Sequence, residues 1–295
     1  SKTPHNMKTI KPFEVKIKEN HPTEPQTWRV FLDREFTAKL RVIKKDSDTK
    51  QTVLVPNAEF KIFNIDKNEY VKQYTTYPSK VEHTSFFTDD DGDLILPEAL
   101  KIGNYRIEEV SAPYGYVVND KYVSISVDTD TAFETDGDTN DAIITVEYSD
   151  APAVGELTVE KKGEVLDGFK GGFLASSYEK EFVYKEGSLA GAKFKVYAAE
   201  DIYTADNQKD ADGNRIKYYS KGDLVTTLTT GKDGKATAKN LPLGQYRVVE
   251  VEAPYGYVLN PNEQKVTFTY VDDKTPVIKE SLTFSDDRQK LDMSV

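Results

Sequence analysis

Cysteine is absent from the 295 residues, so no disulfide can staple the chain, no thiol can act as a nucleophile, and no Cys-rich metal site can form. Histidine occurs three times, at His5, His21 and His83, with no spacing that makes a metal pair or a Ser/His/Asp set. No Gly-rich phosphate loop precedes a helical pattern, and no cofactor is expected. No apolar run approaches the roughly 20 residues of a membrane span. Neither a signal-peptide pattern nor a hydrophobic tail is present, so an exported protein would carry its leader and anchor outside these residues. Positive charge is in deficit: Lys and Arg number 39 against 50 Asp and Glu, for a net charge of −11. That balance argues against nucleic acid and anionic lipid as partners, and it favours solubility. Together these absences weigh against an enzyme.

Methionine (2) and tryptophan (1) are scarce, whereas tyrosine (18) and phenylalanine (14) are plentiful. Aromatic and β-branched residues suit the half-buried face of a pleated sheet. No long helical pattern appears, and only 197–205 reads as a short helical turn. The chain repeats itself. Residues 105–119 read YRIEEVSAPYGYVVN and residues 246–260 read YRVVEVEAPYGYVLN, identical at 11 of 15 positions. Upstream of each copy stands an Asp-Gly turn (TDDDGDLIL at 88–96, TGKDGKATA at 230–238), a strong hairpin signal because both residues tolerate positive φ. Further upstream, AEFKIFN (58–64) matches AKFKVYA (192–198), each alternating as a strand with one buried face does. LRVIKKD (40–46) matches LTVEKKG (157–163), and IITVEYSD (143–150) matches ESLTFSDD (280–287).

The repeat predicts two all-β units, 36–152 and 153–288, each an Ig-like sandwich of antiparallel sheets. The second is longer by 24 residues between its opening lysine and its motif glutamate (89 from Lys161 to Glu250 against 65 from Lys44 to Glu109), with 165–190 and 204–221 as the candidate insertions. Residues 1–35, with FEVKI and WRVFL, read as the remnant of a preceding β domain or an N-terminal β extension. Residues 289–295 read as a linker or the start of a further unit.

Strand parity picks out an unusual set of residues. Leu40, Val42 and Lys44 share a face, as do Leu157, Val159 and Lys161. So do Ile144, Val146, Tyr148 and Asp150, and Leu282, Phe284 and Asp286. Within the repeated motif, Tyr105, Ile107 and Glu109 align, as do Tyr246, Val248 and Glu250. Each unit thus aims a lysine, a glutamate and an aspartate at one core, where such residues are rarely found unpaired. Burial in apolar surroundings disfavours charge, making an amine nucleophilic and a protonated carboxyl electrophilic. A glutamate between them can polarise the carboxyl and shuttle protons. Two outcomes fit the residues: an amide formed with loss of water, or a buried salt-bridge triad without covalent chemistry. Tyr148 and Phe284 would keep either site dry.

The stretch YRxxEVxAPYGY resembles the E-box of Gram-positive sortase-assembled pilins and of collagen-adhesin B-type (Cna-B, prealbumin-like) repeats. Its pattern is Tyr-x-Leu-x-Glu-Thr-x-Ala-Pro-x-Gly-Tyr. Here Ile107 or Val248 replaces Leu, and Val110 or Val251 replaces Thr. The opening strand resembles the family's Lys-x-Asp segment at Lys44-Lys45-Asp46, whereas the second unit departs from it with Gly163. The resemblance covers about residues 36–288. It implies tandem prealbumin/Cna-B-type sandwiches and intramolecular isopeptide bonds between Lys44 and Asp150 and between Lys161 and Asp286, assisted by Glu109 and Glu250. Lys45 and Lys162 are the alternative donors, against parity. It further implies a stalk or pilin-type module of an extracellular, cell-wall-anchored protein. Its partners would be neighbouring repeats of the chain, sortase-linked cell wall or pilus subunits, and host extracellular matrix or glycan.

Other features have plainer readings. The Pro-Tyr-Gly-Tyr segments read as structural turns. The acidic stretch 128–141 and the turns at 89–91 and 210–214 read as solvated loops that lack the twelve-residue calcium-loop pattern. Tyr77-Pro78-Ser79-Lys80 faintly resembles the Tyr-Pro-Lys pilin motif but carries an extra residue. An adhesive surface would draw on Phe169, Phe173, Tyr178, Phe182 and Tyr184 of the second unit's insertion.

Overall fold

The computed structural model describes residues 36–290, apart from 132, 136–140, 172, 175–176 and 179–180. The sequence readings at 1–35 and beyond Lys290, and the side chains of Phe173 and Tyr178, lie outside the described residues. The principal strands in chain order are β1 (Thr37–Asp46), β2 (Glu59–Asn64), β3 (Asp93–Ile95), β4 (Gly103–Ser111), β5 (Val123–Val127), β6 (Ala142–Pro152) and β7 (Val154–Lys170). They continue with β8 (Glu181–Ser188), β9 (Lys193–Ala198), β10 (Leu224–Thr229), β11 (Lys235–Leu241), β12 (Gly244–Glu252), β13 (Gln264–Phe268) and β14 (Val277–Asp286). There is no helix among the described residues.

Alternation of apolar and polar residues produces these strands. In β1 every second residue, from Ala38 through Leu40, Val42 and Lys44 to Asp46, points inward. The first core combines Leu40 and Val42 with Phe60, Ile62 and Ile107 from the facing sheet. The second combines Leu157 and Val159 with Phe194, Val196 and Val248. In the first unit, β6, β1 and β3 lie side by side and face a sheet ordered β5-β4-β2. In the second, β7 pairs with β8, β11 and β14 and faces a sheet ordered β10-β9-β12-β13. At the Asp-Gly turns, Gly92 and Gly234 take φ of +75° and +72°, the left-handed conformation that favours glycine.

Three features depart from an all-antiparallel expectation or refine it. First, the opening and closing strands of each unit run parallel. β1 and β6 pair from Ala38 beside Ala142 to Asp46 beside Asp150. β7 and β14 pair from Val154 beside Val277 to Gly163 beside Asp286. A parallel pair needs a long crossover, and here the rest of the unit supplies it. Second, the described residues of the insertion at 165–190 include a two-stranded extension in which β7 runs on to Lys170 and pairs with β8. Third, 197–205 forms no helical turn. Tyr197 and Ala198 complete β9 beside Arg247 and Tyr246, and Ile202–Tyr203 pairs with Lys217–Tyr219. Burial of Phe194, Val196 and Ala198 overrides the local helix preference of Ala-Ala-Glu.

Candidate functional site

Parallel pairing sets the geometry of each candidate site. Lys44 lies beside Tyr148, and Asp150 is the next residue on the same face of β6. Side chains in strands lean along the strand, so the long lysine reaches the shorter aspartate two positions on. The third member comes from the opposite sheet, where Phe60 of β2 stands beside Glu109 of β4. The β2–β4 register slips there, between Glu59 and Phe60, so that Val110 is skipped. The β9–β12 register slips at the matching place, with Phe194 beside Glu250 and Lys193 beside Glu252. A bulge re-aims the neighbouring side chain, and both units place one directly after the motif glutamate.

In the first unit Lys44 Nζ donates to Glu109 Oε1 at 2.6 Å and lies 2.5 Å from Asp150 Oδ1. All three side chains are fully buried. The approach to Asp150 lacks the angle of a hydrogen bond, and neither Asp150 oxygen accepts one from any described residue. Burial, with the Glu109 charge adding to it and Lys44 opposing it, pushes the Asp150 carboxyl up to about 8. A carboxyl in that range is substantially protonated at neutral pH. The wall is aromatic: Lys44 Nζ lies 4.6 Å from the centre of the Tyr148 ring and 5.6 Å from that of Phe60. These two rings pack edge to face.

The second unit repeats the arrangement. Lys161 Nζ donates to Glu250 Oε2 at 2.9 Å and contacts Asp286 Oδ1 still more closely. These side chains too are fully buried. Burial raises the Glu250 carboxyl, and Asp286 Oδ2 and Glu250 Oε1 accept no hydrogen bond from the described residues. Phe194 and Phe284 close the pocket with ring centres 4.8 Å apart. The adjacent lysines point elsewhere. Lys45 bonds Thr52 Oγ1 at 3.2 Å near the surface, and Lys162 is half-buried.

Sequence reasoning passed over one residue at each site and gave a second no role. The last residue of the repeated motif, Asn119 or Asn260, holds the glutamate from behind. Its backbone N–H donates to Glu109 Oε2 at 2.9 Å, or to Glu250 Oε2 at 3.1 Å. Its side-chain amide donates to the carbonyl of Ser149 or Ser285, the residue before the aspartate. One asparagine thus ties glutamate to aspartate, and its identity in both copies was the available signal. The first motif tyrosine anchors the preceding loop, Tyr105 to the Lys101 carbonyl and Tyr246 to the Pro242 carbonyl.

The units differ at the end of the opening strand. Asp46 is buried and accepts from the Tyr116 hydroxyl at 2.7 Å and from the N–H groups of Asp48 and Thr49. At the equivalent Gly163, a Cβ would meet Leu189 Cδ1 at 2.7 Å, the Asp286 carbonyl oxygen at 2.8 Å and the Tyr257 ring at 2.9 Å. The departure from the Lys-x-Asp pattern therefore follows from packing.

The remaining candidates stand apart from the triads. Tyr77-Pro78-Ser79-Lys80 lies on an exposed turn between short strands, with Tyr77 89% exposed. Asp89 and Asp210 accept hydrogen bonds from N–H groups within their own turns. Part of 128–141 lies outside the described residues. No group of three or more potential metal-ligating side chains occurs among the described residues.

The model of the SpaA prealbumin-like fold domain matches residues 38–142 and again residues 179–281. The chain belongs to this family. The SpaA-type chain is 32% identical over 75 residues to the trypsin-resistant surface T6 protein of Streptococcus pyogenes serotype M6, a match covering 25% of this chain and 14% of that protein. Among solved structures it is similar to the Bacillus anthracis TIE protein (22% identity, TM-score 0.47, covering 86% of this chain and 34% of that one). It is also similar to GBS52, the minor pilin of Streptococcus agalactiae (13% identity, TM-score 0.30, 88% and 99%). A third is the shaft pilin SpaA of Lactobacillus rhamnosus GG (16% identity, TM-score 0.29, 88% and 99%). The SpaA-type chain therefore spans well under half the length of the T6 and TIE proteins it matches.

Proposed function

We propose that this chain is a load-bearing module of an extracellular, cell-wall-anchored surface or pilus protein. Its two units, 36–152 and 153–288, are each closed by one internal amide, Lys44 to Asp150 and Lys161 to Asp286. The observation that carries this reading is the buried Lys-Glu-Asp triad, built twice, in which the lysine of the first strand meets the aspartate of the last. Membership of the prealbumin-like family supports it.

The chemistry balances within each triad. The neutral amine nitrogen attacks the Cγ of the protonated aspartate, and an N–C bond forms. The C–OH bond breaks, and the hydroxyl leaves as water with one hydrogen taken from the amine. Glu109 or Glu250 relays that hydrogen and hydrogen-bonds the carboxyl while charge develops. Each glutamate acts once per molecule, so the protein is not an enzyme in the turnover sense.

Intact mass tests the reading. The parent chain is expected to weigh two waters less than its sequence, and Glu109→Ala and Glu250→Ala are each expected to restore one. A parent mass equal to the sequence mass rules the links out.

An adhesive role has one specific observation in its favour. On the β7–β8 extension, the Phe169 and Phe182 rings pack tilted with centres 5.1 Å apart while remaining 57% and 54% exposed. Solid-phase binding to matrix proteins and glycans, compared with a Phe169→Ala/Phe182→Ala chain, tests it. Equal signals in the two chains exclude that surface.

A further inference from the structure

The two units are not independent at the first triad. Between Glu109 and Asn119 the chain makes the turn 112–118, and residues of the second unit grip that turn. Asp273 accepts the Ala112 N–H on its carboxylate at 3.2 Å and the Val118 N–H on its backbone carbonyl at 2.9 Å. The Tyr270 hydroxyl donates to the Tyr116 carbonyl at 3.0 Å, and its ring packs on Tyr114 with centres 4.7 Å apart. A second grip holds the loop that follows Asp46. Leu54 N–H donates to the Asp206 carbonyl at 2.8 Å, Thr49 Oγ1 to Asp206 Oδ2 at 2.7 Å, and Gln208 Nε2 to the Thr52 carbonyl at 2.7 Å. Asp206 is fully buried in this junction and belongs to the second insertion.

Among the described residues the second triad has no such dependence. Its matching turn is held from within its own unit: Val258 N–H donates to the Asp287 carbonyl and the Tyr257 hydroxyl to the Glu164 carbonyl. Tyr255, the counterpart of Tyr114, is fully exposed.

We infer that Tyr270 and Asp273 of the second unit are positioning residues for the first unit's triad. They hold the turn 112–118 so that Asn119 reaches both Glu109 and the Ser149 carbonyl, and the Lys44–Asp150 link therefore forms faster on a docked neighbour. The inference rests on the cross-linking proposed above and adds an order to it: the second unit closes unaided, whereas the first closes with its help.

The test uses the full chain and follows the two links separately, as cross-linked peptides released by proteolysis at intervals after refolding. In a Tyr270→Ala/Asp273→Ala chain the Lys44–Asp150 link is expected to form roughly 10- to 100-fold more slowly, the upper end being the loss that a 1 Å misplacement of reacting groups causes. The Lys161–Asp286 link is expected at the parent rate. Hydrogen-exchange protection of the Thr37–Asp46 amides reports whether the first unit has folded. If the alanine pair abolishes that protection, Tyr270→Phe decides. It deletes only the hydroxyl donor and is expected to slow the first link alone. Asp273→Asn keeps an acceptor for Ala112 and is expected to behave as the parent. Parent rates for the first link in the folded alanine pair, or in Tyr270→Phe, overturn the inference. Absence of both links from the parent overturns the cross-linking itself.

Discussion

A buried aspartate with a raised pKa has a thermodynamic signature of its own. In the folded chain the Asp150 carboxyl is held up to about 8, chiefly by burial. In an unfolded chain it titrates near 4. Between those values the folded state keeps a proton that the unfolded state has released, so stability falls as pH rises through that window. A Lys44→Met chain cannot form the link and loses the cation that opposes the shift. Its first unit is expected to unfold at lower urea at about pH 7.5 than at about pH 4.5, with a slope of up to about 1.4 kcal/mol per pH unit. Lys44→Met/Asp150→Asn is expected to lose that slope. Equal midpoints for Lys44→Met at the two pH values refute the assignment. Gly163 offers a second residue-level test. Restoring the aspartate of the Lys-x-Asp pattern by Gly163→Asp forces a Cβ against Leu189, the Asp286 carbonyl and Tyr257. It also buries a carboxylate without its tyrosine, since the Tyr257 hydroxyl already serves the Glu164 carbonyl. Overpacking alone costs about 1–3 kcal/mol, and the unpaired carboxylate adds to it. Denaturant melts of a Glu250→Ala background, free of the covalent tie, read the loss directly. An unchanged midpoint contradicts the packing account.

At the scale of elements, the β7–β8 extension projects from the sandwich rather than completing its core. Among the described residues, those from 165 to 185 contribute none of the buried residues of the second core, and Leu166, Phe169 and Phe182 stay exposed. Replacing them by a two-residue Asn-Gly turn between Glu164 and Glu186 is expected to leave the Lys161–Asp286 link intact and the thermal midpoint within a few degrees of the parent. Loss of the link would show that the extension shapes the site. What was legible in the sequence follows the same division. Period-two burial in Leu40, Val42 and Lys44, and in Tyr148 and Asp150, was readable because parity needs only the neighbouring residues. The turns at Gly92 and Gly234 were readable because Asp-Gly carries its own conformational preference. The parallel pairing of first and last strands was not, since hydrogen-bond direction is decided by residues a hundred positions apart. Nor were the bulges after Glu109 and Glu250, where the extra residue is an ordinary valine. The segment around Ala198 and Ala199 was misread because its helix preference is local, whereas the strand that overrides it is tertiary. The docking of Asp206 and Asp273 on the first unit left no trace in either copy of the repeat, because it is a contact between units rather than within one.

For the molecule as a whole, the path of force follows from the pairing of the strands. Tension entering the first unit at Thr37 runs along β1, and tension leaving it passes through Pro152 at the end of β6. Because β1 and β6 are parallel, pulling shears them along their whole register from Ala38–Ala142 to Asp46–Asp150. Without a covalent tie the hydrogen-bond ladder alone resists, and its rupture releases the chain between them. With an amide at Lys44–Asp150, the load crosses near the exit end of the pair and residues 45–149 never bear it. The same holds in the second unit, where Lys161 and Asp286 lie near the exit end of the register that pairs β7 with β14. Fully extended chain spans about 3.3–3.6 Å per residue. Opening the 106-residue interval between Lys44 and Asp150 would therefore add roughly 350–380 Å. The 125-residue interval between Lys161 and Asp286 would add roughly 410–450 Å. Single-molecule stretching of a Glu109→Ala/Glu250→Ala chain is expected to show two extension steps of those lengths, and the parent neither. At zero force the same ties would remove the entropy of opening loops of this size, worth about 4–5 kcal/mol each by analogy with disulfides. The doubly blocked chain is accordingly expected to be cut faster by trypsin and to melt at lower temperature. A parent that extends in the same two steps as the blocked chain would show that load passes through hydrogen bonds alone.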